Sequence, residues 1–130
     1  MSIDPSNVLE RTASELKLHP EYLGVEINSV NERGALDSTP LHVAARTGRL
    51  DWIRQLVSVG AEIDARGDLE NTPLHEAALC GQLGSVQLLL ELGANADLRN
   101  EFGQTALDVA MLGGKKKICN MLRKRARRLG

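Results

Sequence analysis

The sequence predicts an all-α protein, an α-solenoid of stacked helix-turn-helix repeats joined by β-turn-like loops. Three observations carry this expectation. A seven-residue block returns twice at a spacing of 33. Each copy opens on a helix-starting Thr followed by apolar residues at helical spacing. With only Tyr22, Trp52 and Phe102 as aromatics, the core must be built from Leu, Val, Ile and Ala, a mix that suits helices packed closely at small residues.

Composition sets the class. A chain of 130 residues, 42% apolar and 25% charged, is long enough for one core and is read as a single domain over 1–130. No window approaches the ~18 apolar residues of a membrane span, and no basic or apolar leader follows Met1. A cytoplasmic protein is expected, or a nuclear one in a eukaryotic host. Cys80 and Cys119 lie 39 residues apart with no CxxC around them, which suits free thiols in a reducing compartment.

Taken in order, residues 1–38 lack the repeated block. Val8, Leu9, Thr12, Ala13 and Leu16 keep helical spacing, His19-Pro20 breaks the run, and Tyr22, Leu23, Val25 and Ile27 suit a second short helix. This stretch is read as a degenerate N-terminal capping repeat. Residues 39–71 open on Thr39-Pro40-Leu41-His42-Val43-Ala44-Ala45. Thr39 offers an N-cap oxygen, and Pro40 sits where a missing N–H costs nothing. Leu41, Ala44 and Ala45 place apolar groups at i, i+3 and i+4, and Gly48 ends a helix of about two turns. A second helix runs from Leu50 to Val59 with Ile53, Leu56 and Val57 inward, and Gly60 stops it. Residues 72–104 repeat the plan from Thr72-Pro73-Leu74-His75-Glu76-Ala77-Ala78.

Residues 105–130 open more loosely on Thr105-Ala106-Leu107-Asp108-Val109-Ala110-Met111. Lys115, Lys116, Lys117, Arg123, Lys124, Arg125, Arg127 and Arg128 surround Ile118, Met121 and Leu122, as expected of a basic C-terminal capping repeat with one solvated face. The charge is uneven. Residues 1–100 carry 8 Lys/Arg against 15 Asp/Glu, a balance of −7, and residues 101–130 carry 8 against 2, a balance of +6.

The 33-residue unit opened by Thr-Pro-Leu-His, with Gly48, Gly81 and Gly114 and with Gly60-Ala61 and Gly93-Ala94 in register, resembles the ankyrin repeat family over about residues 28–124. The resemblance implies that His42 and His75 hydrogen-bond inside the stack to the turn and to the motif Thr. It also implies a concave, non-catalytic protein-binding face formed by turn tips and first helices. One departure stands out. The family usually carries Gly two residues before the Thr, and only Gly103 does so; Asp37 and Glu70 hold the equivalent places. Gly34 and Gly67 come three residues earlier, so the first two turns are expected to bend at a different point.

Catalysis is not expected. A zinc ion shared by His42 and His75 would need ligands ~2 Å away from helices packed about 8–10 Å apart. Cys119 aligns with Ile53 and Val86 and is read as core, while Cys80 aligns with Thr47 and Gly113 at a first-helix end and could be partly exposed. Neither has a base or an oxyanion site at hand. No phosphate-binding loop is present, and no cofactor, metal or small-molecule substrate is expected.

Binding is expected on the concave face. At a spacing of 33, Arg33, Arg66 and Arg99 form one ladder, and Leu36, Leu69 and Phe102 form another. With Arg46, Leu79 and Leu112 on the first helices they give an apolar strip with a charged rim, the kind of surface that marks a contact site. Trp52 aligns with the start of a second helix and is read as packing. The expected activity is that of a monomer that holds a protein partner and acts by occupying it, as a direct inhibitor or immunity-type protein. The alternative is nucleic-acid or acidic-surface binding through the basic C-terminal helix, weakened by the absence of aromatic residues from 103–130 for stacking on bases.

Overall fold

The computed structural model describes Arg33 and residues 37–129. The expected N-terminal capping repeat, the Leu36 rung and Gly34 lie outside the described residues. The described chain forms three helix pairs. The first helices are α1 (Pro40–Thr47), α3 (Pro73–Leu79) and α5 (Ala106–Leu112); the second helices are α2 (Leu50–Ser58), α4 (Leu83–Glu91) and α6 (Lys116–Leu129). Among the described residues no helix is long and apolar enough to cross a membrane.

Each first helix starts for the same local reason. The Thr39 hydroxyl accepts from the His42 N–H at 3.4 Å, and the Thr39 N–H donates back to His42 Nδ1 at 3.1 Å. This reciprocal cap satisfies two of the amides that a helix N-terminus leaves open. Thr72 with His75 and Thr105 with Asp108 repeat it. The helices then stop after two turns, and Gly48, Gly81 and Gly114 carry φ between 69° and 76° where the chain turns into the second helix.

Two layers result. α1, α3 and α5 stack on one another, and α2, α4 and α6 stack behind them. Leu41, Ala44, Ala45, Leu74, Ala77, Ala78, Ala106 and Ala110 face Ile53, Leu56, Val86, Leu89, Ile118 and Leu122 across a continuous core. The alanines matter because small side chains let neighbouring first helices approach closely. A fully buried Leu such as Leu41 or Leu74 contributes about 2 kcal/mol by leaving water. Trp52 is buried, with the Arg49 guanidinium 4.3 Å from its ring centroid, and Cys119 is in the core.

The last second helix differs from its predecessors. α2 and α4 have 9 residues and are followed by Gly60 and Gly93, both at φ above 100°. Ala126 holds the equivalent place in the third copy, the left-handed stop is missing, and α6 runs on to 14 residues.

Candidate functional site

The turns before α3 and α5 present the candidate face. In the third turn, Asn100 Oδ1 accepts from the Phe102 and Gln104 amides, each at 3.0 Å, and Gly103 takes the bend at φ 73°. In the second turn Gly67 holds the place of Asn100, and the bend falls on Leu69 and Glu70, at φ 56° and 60°. Asp37 stands at φ 59° in the turn before that. The expectation that the first two turns bend elsewhere is therefore corrected. Asp37 and Glu70 take the left-handed backbone at the position where Gly103 does, and Leu69 joins them. The reason is visible at Gly67, where a Cβ would lie 3.0 Å from the Asp37 carbonyl oxygen and from His42 Nε2. Glycine is needed there for close approach, and the left-handed position stays at Asp37, Glu70 and Gly103, widened to Leu69 in the second turn.

Successive turns are fastened together. Arg33 donates to the Asp37 carbonyl at 3.0 Å and also to the Arg66 carbonyl. Arg66 donates to the Glu70 carbonyl at 3.3 Å and to the Arg99 carbonyl, and Arg99 donates to the Gly103 carbonyl at 2.7 Å. The Glu101 N–H reaches the Leu69 carbonyl at 2.9 Å, and Asn100 Nδ2 reaches Asn71 Oδ1 at 3.0 Å. Such cross-links hold the tips at fixed spacing with little freedom to lose on binding.

Between these tips and the ends of the first helices lies a groove of about 290 Å³. Leu69 and Phe102 wall it from the turns, Leu79 and Leu112 from α3 and α5, and Val109 floors it. The four wall residues are 43%, 65%, 51% and 76% exposed in that order, which is unusual for large apolar groups gathered in one place.

A family model described as ankyrin repeats, in 3 copies, matches residues 13–101 and 68–128. The chain belongs to the ankyrin repeat family. No curated protein matches the chain. Ankyrin repeats generally mediate protein–protein interaction and are typically non-catalytic modules.

The ankyrin motif histidines have full structural occupations. His42 Nδ1 accepts from the Thr39 N–H, which leaves Nε2 as the protonated nitrogen, 2.9 Å from the Asn71 carbonyl of the next turn. His75 does the same with Thr72 at 3.2 Å and the Gln104 carbonyl at 2.8 Å. Burial pushes the His75 pKa below its ordinary value, and the nearby Arg66 cation adds to the shift against the raising influence of the Gln104 carbonyl. In the third copy Asp108 replaces the histidine. It completes the cap, accepting from the Thr105 amide at 3.0 Å, but reaches no further turn. That amide and the Thr105 hydroxyl hold the Asp108 carboxyl below the usual carboxylate range, with Arg99 3.9 Å away.

Cys80 is exposed at the end of α3, and its thiol is pushed up by partial burial and by the Glu76 carboxylate. A thiol held protonated is a poor nucleophile. Of the sequence-predicted face, the groove brings together Leu69, Leu79, Phe102 and Leu112. Arg33, Arg66 and Arg99 lie along the turn flanks with their guanidinium groups on backbone carbonyls. Arg46 sits a repeat earlier, donating to Ser38 Oγ at 3.0 Å and 3.6 Å from Glu76. Sequence reasoning missed Val109, which is 8% exposed, and the Asn71–Asn100 pair beside it. The alignment of Val109 with Val43 and Glu76 was the available signal: only at that position does the series change from apolar to charged and back.

Proposed function

We propose that the concave face binds a protein partner, with Leu69, Leu79, Phe102 and Leu112 receiving an apolar anchor from it. The observation that carries this reading is the groove itself, four large exposed apolar side chains around one concavity on cross-linked turns. The rim supports it further. At the α1 end the same helix position holds Arg46, paired with Glu76, so the face passes from charged to apolar along the stack. An apolar centre beside a polar margin is the pattern of energetically concentrated interfaces. The Arg33, Arg66 and Arg99 ladder is assigned a supporting part, fixing the turns that carry the apolar groups. Leu36 is proposed as the preceding rung.

The proposed mode of action is occupancy of the target, as a direct inhibitor or immunity-type protein in the cytoplasm. A surface already ordered before contact suits this, because little flexibility has to be given up on binding. Residues 39–71, 72–104 and 105–130 are assigned as the repeats that build the face, with 1–38 as the N-terminal cap.

Capture tests the reading. Immobilised chain is incubated with lysate of its native host, and retained proteins are identified by mass spectrometry. A partner retained by the wild-type chain and lost with the Leu69→Ser/Phe102→Ser variant, whose melt is unchanged, supports the groove; equal retention by both rejects it.

A further inference from the structure

On the opposite layer, α2 and α4 meet closely because Gly84 stands at the contact: a Cβ placed on it would lie 3.4 Å from Leu50 Cδ1. The helix pair α4–α6 repeats this geometry one period later, with Leu83 in the place of Leu50 and Lys117 in the place of Gly84. A lysine leaves no bare backbone for Leu83 to cover. The gap stays open, a groove of about 580 Å³ between α4 and α6.

The chemistry of this groove is layered. Leu83, Leu90 and Met121 form an apolar floor, and Lys117, Lys124 and Arg125 form most of the rim. Among the described residues neither Lys117 nor Lys124 has a carboxylate partner. Arg125 crosses one end, donating to the Leu90 carbonyl at 3.1 Å. One carboxylate, Glu91, faces these three cations, and Gln87 donates to it at 3.4 Å. Gln87 and Asn120 also supply amide groups that can both donate and accept.

We infer that this groove is a second binding site, independent of the concave face, and that its occupant is an acidic peptide segment carrying a bulky aliphatic side chain. Charge complementarity selects an acidic ligand, since the rim is a net cation without internal pairing. The recessed floor selects an apolar anchor. Duplex nucleic acid has no group for that floor, and its phosphates would meet Glu91. A membrane would need the apolar groups to protrude, and here they lie beneath the charges. Amides that donate as well as accept match a peptide backbone, whereas phosphates only accept.

The test is fluorescence anisotropy of the full chain with a fluorescein-labelled peptide of about ten alternating Glu and Leu residues. Saturable binding is expected, weakened about ten-fold by Lys117→Glu/Lys124→Glu, two exposed changes whose folding is checked by thermal melt. Leu69→Ser/Phe102→Ser is expected to leave it unchanged, which separates this site from the concave one. A peptide with Ser in place of Leu should bind far more weakly. Absence of binding, equal binding of the Ser peptide, or tighter binding of a duplex DNA through the same lysines would each overturn the inference.

Discussion

The second and third turns place a left-handed residue at the same point, Glu70 and Gly103, with opposite residues around it, and the second adds a left-handed Leu69. In the third, Asn100 ties the loop from inside and Gly103 takes the left-handed bend; in the second, glycine comes first and Leu69 and Glu70 bend against their preference. A non-glycine residue in that region costs roughly 1 kcal/mol or more. The second turn accepts the strain because its neighbours leave no alternative. Gly67 packs on Asp37 and His42, Arg66 reaches the Arg99 carbonyl, and Glu101 donates to Leu69. The stack keeps the left-handed position of the turn at Glu70 and Gly103, and the residues within each turn set its cost and, at Leu69, its path. Leu69 and Phe102 line the same groove.

The largest way to break the equivalence is at His75, which caps α3 and holds the third turn through the Gln104 carbonyl. His75→Ala removes both bonds and leaves buried partners open, so an unfolding free energy lower by about 3 kcal/mol is expected in a urea titration. Asn100→Ala should cost less, about 2 kcal/mol, because it strips the third turn of its internal ties and takes from the second turn only its link through Asn71. If the loss is under about 0.5 kcal/mol, the turn is held from outside and Asn100 is incidental.

Exchanging the bend residues sharpens the comparison further. Glu70→Gly relieves a strained position and should stabilise by about 1 kcal/mol, while Gly103→Glu introduces the same strain and should destabilise by a similar amount. Equal and small effects of both would mean that φ is not the controlling variable.

The smallest effect is on pH. Because the folded-state pKa of His75 is lowered, its proton prefers the unfolded chain. The stability it contributes is present above the ordinary value of 6.5 and is lost as pH falls below it. Asp51 and Asp108, both lowered, hold their contributions until pH falls below 3.8. Melting temperatures measured between pH 7.5 and 5.5 should decline for the wild-type chain and decline less for His75→Gln.

What could be read from the sequence was what local chemistry dictates. Thr39, Thr72 and Thr105 cap helices because a hydroxyl three residues before an amide satisfies it wherever it occurs. The alignment of Leu69 with Phe102 followed from the 33-residue period, and its alliance with Leu79 and Leu112 on one face from the resemblance to ankyrin repeats. Other features depend on contacts between repeats and carry no local signature. Glu70 reads as an ordinary residue until Gly67 is found pressed against the preceding turn. The arginine ladder reads as a rim of free charge until its guanidinium groups are found on carbonyls. The groove between α4 and α6 arises from Lys117 in the place of Gly84, a difference visible in the alignment but mute until Leu50 is seen lying over the glycine.

The most direct test titrates the captured partner against the wild-type chain, Leu69→Ser/Phe102→Ser and Lys117→Glu/Lys124→Glu by isothermal calorimetry. Loss of two central apolar contacts should weaken affinity more than about ten-fold in the first variant, and the second should match wild type. Unaltered affinity of Leu69→Ser/Phe102→Ser, with its melt intact, would contradict the assignment of the concave groove as the partner's seat.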